Sequence, residues 1–171
     1  METKEQIIEN LKRYVVNVLE PSRPELFGFP ACPFIKSERL KNNIMYDVLD
    51  DRKFLDLVRE FDSSDYTTAV FAQPLPEGES MSHDEANQYQ IFINAVMKEN
   101  GFGHYKNICI SPEQTLHVEG FSPRAEAPYV LINIGNREDF ERTHESIKNT
   151  KYFENFPDEY MNYLVRKEKK C

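Results

Sequence analysis

The chain has 171 residues, of which 40% are hydrophobic and 12% aromatic, enough for one domain with a real core. A formal net charge of -8 makes the surface repel phosphate backbones, which argues against general nucleic-acid binding. No run approaches the roughly eighteen apolar residues that span a bilayer, and Met-Glu-Thr-Lys-Glu opens no signal region. Residues 1–171 therefore read as a single cytoplasmic globular domain, monomer or homodimer, with no membrane role.

Thr3 and Gln6 have capping-box spacing, and Ile7, Ile8, Leu11, Val15, Val18 and Leu19 then recur at helical intervals, predicting a first helix over 4–19. Pro21, Pro24 and Pro30 stiffen the next stretch and carry Leu26, Phe27 and Phe29 towards the core. Proline suits the first position of a helix, so Pro33 predicts a short helix to about Leu40, with Cys32 as its N-cap. A sulfur at that place faces free N–H groups and the positive dipole end, an environment that favours thiolate.

A strand over 44–49 follows, then a helix bearing Phe54, Leu55, Val58 and Phe61, capped by Asp50 or Asp51. Tyr66 to Ala72 predicts the second strand. Ser82 and Glu85 repeat the capping-box spacing ahead of a helix from His83 to Asn100, which Gly101 stops. Strands are expected over 106–110, 115–119 and 129–134, the last apolar on both sides and hence interior. Asn136 caps a helix to about Lys148, Phe153 and Phe156 anchor the next turn, and Pro157 opens a last helix. The expected fold is α+β: a two-layer sandwich with a mixed, mostly antiparallel sheet of four to five strands packed by helices, ferredoxin-like in order. A doubly wound fold lacks its glycine-rich turn here, with six glycines and no GxGxxG or Walker A pattern.

Three cysteines, Cys32, Cys109 and Cys171, form no CxxC pair, which excludes a zinc ribbon and a dithiol redox motif. Cys32 is the candidate nucleophile. Among the four histidines, His104 in Gly101-Phe102-Gly103-His104-Tyr105 is the best-placed base, in a turn before a strand. Lys36, Arg39, Arg124 and Tyr129 are the candidate binding residues, the cations suited to an anionic group near helix N-termini. His117 and Glu119 alternate onto one face of a strand and, with His144, outline a two-histidine, one-carboxylate set. The acids of His83-Asp84-Glu85 are explained by the helix dipole, and no metal or cofactor is assigned.

The order Cys32-Pro33-Phe34, Tyr66-Thr67-Thr68, Gly101-Phe102-Gly103, Ser111-Pro112 and Ala127-Pro128-Tyr129 resembles an uncharacterised bacterial family. Its members carry Cys-Pro-Phe-Ala after the first helix, a Glu-Thr-Thr strand, a Phe-His-Pro segment and a Ser-Pro-Tyr-Pro segment. The resemblance spans most of residues 5–148 and implies a pattern, not a reaction. Ile35 stands where the family has alanine, Asp65-Tyr66 where its glutamate lies, and Ile110-Ser111-Pro112 lacks its histidine. Two functions compete: a small-molecule or thiol-dependent site at Cys-Pro-Phe, or a non-enzymatic protein acting on a protein partner through Phe27, Phe29, Phe153 and Phe156.

Overall fold

A computed structural model describes residues 2–49, 53–113, 127–156 and 158. Among these residues are five helices and an open, mixed four-stranded sheet, an α+β fold as expected. The predicted strand at 115–119 and the helix after Pro157 lie outside the described residues. The expected cap by Asp50 or Asp51 is corrected, because Lys53 is the N-cap of the helix at Phe54–Asp62 and no described side chain caps it.

Helix α1 (Lys4–Tyr14) starts on the expected capping box, with Gln6 and Thr3 bonding each other's backbone amides. It continues as a π-helical turn over Val15–Leu19, closed by the Glu20 amide on the Val15 carbonyl at 3.0 Å. Both Tyr14 and Val15 are buried across this transition. After a short 3-10 turn at Pro24–Leu26 come α2 (Ile35–Leu40), β1 (Ile44–Val48), α3 (Phe54–Asp62) and β2 (Thr68–Gln73). Helix α4 (His83–Glu99) has the second capping box, Ser82 with Glu85, and ends before Gly101 at φ +88. Strands β3 (Tyr105–Ile110) and β4 (Val130–Asn136) precede α5 (Arg137–Lys148), whose N-cap Asn136 accepts from the Glu138 and Asp139 amides.

The strand order is β1-β2-β4-β3, with β1 parallel to β2 and the other two pairings antiparallel. Strands and helices alternate as βαβαββ, so the ferredoxin-like order, βαββαβ, is corrected here. The two-layer expectation is corrected as well, because helices cover both faces of the sheet. Ile44, Val48, Val70, Ala72 and Leu131 face a core closed by α1, its π turn, Ile35 of α2 and Ile147 of α5. Met45, Ala69, Phe71, Ile132 and Ile134 face a second core under α3 and α4. The reason lies in β2 and β4, whose residues are buried in unbroken runs, as they must be when neither face is wet.

Two close fits hold the layers in register. A Cβ on Gly135 would sit 2.8 Å from Cε2 of Phe140, so only hydrogen lets that ring lie against β4. Phe140 in turn meets Phe34 edge-on at 5.1 Å, tying α5 to the segment before α2. The free edge of β3 is closed by α4. Asn94 accepts from the Asn107 amide and donates to its carbonyl, and Gln90 accepts from the Cys109 amide at 2.9 Å. These side chains occupy groups that otherwise template pairing with another strand.

Candidate functional site

Because β2 and β3 both run antiparallel to β4, their carboxyl ends and the start of β4 meet at one end of the sheet. Ligand crevices in open α/β sheets commonly lie beyond strand carboxyl ends. Each chain segment there carries a proline: Pro74 after β2, Pro112 after β3 and Pro128 before β4. They rim a cleft of about 420 Å³. Its apolar lining comes from Ile7, Leu75, Met81 and Val130, and its carboxylates from Glu2, Glu79 and Glu113. Ser111 is buried and its hydroxyl donates to the Met81 carbonyl at 2.5 Å, fixing the 74–82 loop over the end of β3.

Tyr129 stands at the wall of the cleft. Its hydroxyl donates to Glu2 Oε2 at 2.7 Å and accepts from Asn10 Nδ2 at 3.0 Å; the same amide reaches Glu2 Oε1 at 2.7 Å. Burial is the main cause raising the phenol's pKa, with the Glu2 carboxylate adding to it against the Asn10 amide. Beyond this wall, α1 presents a second depression of about 450 Å³, lined by Glu2, Glu5, Gln6, Glu9, Asn10 and Arg13. No residue of that lining is hydrophobic, so whatever apolar surface it offers comes from the stems of polar side chains.

The other sequence-predicted residues lie elsewhere. The Cys32 amide bonds the Leu19 carbonyl at 3.1 Å, beyond the far end of α1. From Asn10, which holds Tyr129, to Leu19 is nine residues, or roughly 14 Å along a helix axis. His104 is exposed in the turn before β3, 3.5 Å from Asp62 of α3 and tilted against Tyr105, which packs on the second core. Cys32 packs on the first core. Lys36 is exposed on α2. Arg39 forms a two-pronged ion pair with the buried Glu20, its Nη2 reaching Oε2 at 2.9 Å. Arg124, His117 and Glu119 are outside the described residues, and among those described no cluster could hold a metal ion.

The N-cap expectation for Cys32 is corrected. Helix α2 begins at Ile35 with Phe34 as its N-cap, after a turn in which the Ile35 amide bonds the Cys32 carbonyl at 3.3 Å. The Phe34 and Ile35 amides do pull the thiol's pKa down, but burial outweighs them and pushes it up to about 12. Cys32 as a residue is partly accessible by area, while the thiol itself sits in a desolvated position. Two results are expected. In a Cys171→Ser variant, alkylation of folded Cys32 at pH 8 is roughly a thousandfold slower than for a free thiol, and its rate still climbs beyond about pH 10. Since the folded pKa lies above the unfolded one, this group's contribution to stability is complete below about pH 8.5 and is lost as pH rises towards 12. A rate that levels off near pH 8 contradicts both.

Comparison with protein-family models, with curated proteins and with solved structures finds no match. Among the described residues no helix is long and apolar enough to cross a membrane. Of the binding candidates read from sequence, Tyr129 lines this cleft; Leu75, Met81 and Ser111 line it too and were not among them. The available signal was three prolines at the ends of three strands, which becomes a site only once the strand order brings them together.

Proposed function

We propose that the chain is a cytoplasmic, non-enzymatic binding protein for a small organic molecule, held in the cleft at the carboxyl ends of β2 and β3. The observation that carries this reading is the cleft itself, walled by proline and lined by both apolar side chains and carboxylates. Among the described residues its charged lining is carboxylate, Glu2, Glu79 and Glu113, so the favoured ligand has an apolar body and a cationic head such as an amine. The anionic ligand suggested by Lys36, Arg39 and Arg124 fits this lining poorly. Two segments of the resemblance, Ser111-Pro112 and Pro128-Tyr129, meet at the cleft, while Cys32-Pro33-Phe34 does not line it. A thiol-dependent reaction at Cys32 is the second reading, favoured by the two amides that draw its pKa down and opposed by the larger effect of burial.

The test is a thermal-shift comparison of cyclohexylmethylamine with cyclohexanecarboxylate. The amine is expected to stabilise the protein and the carboxylate not. In Glu79→Lys/Glu113→Lys, changed only at exposed positions, the amine should lose roughly three- to tenfold in affinity. Equal response to both ligands, or an amine response indifferent to the charge reversal, contradicts the proposal.

A further inference from the structure

The outward face of α4 does not look like the outside of a surface helix. Residues 86–97 contain no charged side chain, in a chain of which 29% is charged. Ile91 is 61% exposed and Phe92 62%, and Gln88 and Ala95 beside them are exposed too. A solvated helix face normally carries charge. The inward side of α4 is already occupied, by Ile93 and Met97 in the second core and by Gln90 and Asn94 on the β3 edge.

The charges that bracket this neutral stretch say what covers it. Asp84, Ile91 and Lys98 are spaced seven residues apart, two turns each, and so lie along one line of the helix. Asp84 and Lys98 are both exposed and form no ion pair with each other or with any other described residue. A two-fold axis through Ile91 therefore places Asp84 of one copy against Lys98 of the other, and Lys98 against Asp84. Ile91 then meets Ile91, flanked by Phe92 and Ala95. A self-complementary patch is what a two-fold interface requires. The antiparallel arrangement also sets the amino end of each α4 beside the carboxyl end of its mate, which the helix dipoles favour.

We infer that two copies of this chain associate through antiparallel pairing of α4, with Ile91 on the two-fold axis and reciprocal Asp84–Lys98 ion pairs at its ends. One helix pair covers less surface than the roughly 1,000 Å² expected of a stable interface, so the dimer is weak and concentration-dependent. The inference is independent of the cleft and stands or falls without it.

Sedimentation velocity of the full chain from micromolar to millimolar concentration tests it. The expected result is a sedimentation coefficient that rises with concentration, more steeply at low salt. Ile91→Glu, exposed and folded by circular dichroism, abolishes the rise. Lys98→Asp and Asp84→Lys each weaken association by roughly three- to tenfold, and the double exchange Asp84→Lys/Lys98→Asp restores it to within about threefold of the parent. A monomer at every concentration, self-association that survives Ile91→Glu, or a double exchange that restores nothing overturns the inference.

Discussion

Phe71→Ala is expected to destabilise the protein by about 3–5 kcal/mol, a large part of the margin of a domain this size. Phe71 is fully buried in the second core, among Leu57, Val58 and Phe61 of α3 and Ile93 and Met97 of α4. Its neighbour Val70 points to the opposite face, into the core under α1. The pair therefore separates a sheet covered on one side from one covered on both. With one covered face, one of the two truncations is cheap; with two, Phe71→Ala and Val70→Ala both lower the urea midpoint. Unfolding followed by circular dichroism makes the comparison. A loss below about 1 kcal/mol for Phe71→Ala contradicts the second core.

Arg39→Ala carries the next largest expectation, a loss of about 1–3 kcal/mol with ligand binding unchanged. Glu20 is 8% exposed, and removing Arg39 leaves its carboxylate without the cation that holds it. The figure stays modest because Arg39's own side chain is 36% exposed, and solvent screens part of the interaction. Tyr46 lies close enough to feel this ion pair. Its buried hydroxyl has no hydrogen-bond partner among the described residues, and burial, followed by the Glu20 charge, pushes the phenol up to about 12. Urea melts paired with amine titrations read the two effects apart. Normal stability with lost binding contradicts the structural role and returns Arg39 to a ligand site.

Much of the fold was legible because its signals are local. Thr3/Gln6 and Ser82/Glu85 announce their helices by the spacing of one side chain to one amide, and both capping boxes are present. The apolar run at Val130–Ile134 marked β4 as interior, which it is. The same argument applied to Thr68–Ala72 would have shown that β2 is covered on both faces, and hence that helices lie on both sides. Cys32 illustrates the opposite case. Proline spacing suggested a helix start, but the chain spends Pro33 and Phe34 in a turn, and core packing decides the thiol's chemistry.

The site was less legible than the fold. Arg39 looked like a free cation because nothing local ties it to Glu20, nineteen residues earlier. Phe29, Phe153 and Phe156, candidates for an exposed aromatic surface, instead gather around Tyr152 against the first core. Only Phe27 of that group is exposed, at 41%. The cleft unites Ile7, Leu75, Met81, Ser111 and Tyr129 from distant parts of the chain, and no periodicity links them. Its existence depends on β4 inserting between β2 and β3, a pairing choice that the order of elements leaves open.

The account's central claim is that ligand binds at the proline-rimmed end of the sheet and not beside the thiol. Amide-resolved NMR of the full chain, titrated with cyclohexylmethylamine, reads this position directly. Saturable shifts at Leu75, Met81, Ser111 and Val130, with Cys32 to Lys36 unmoved, are the predicted result. Shifts confined to Cys32 to Lys36, or no saturable shift anywhere, contradict it.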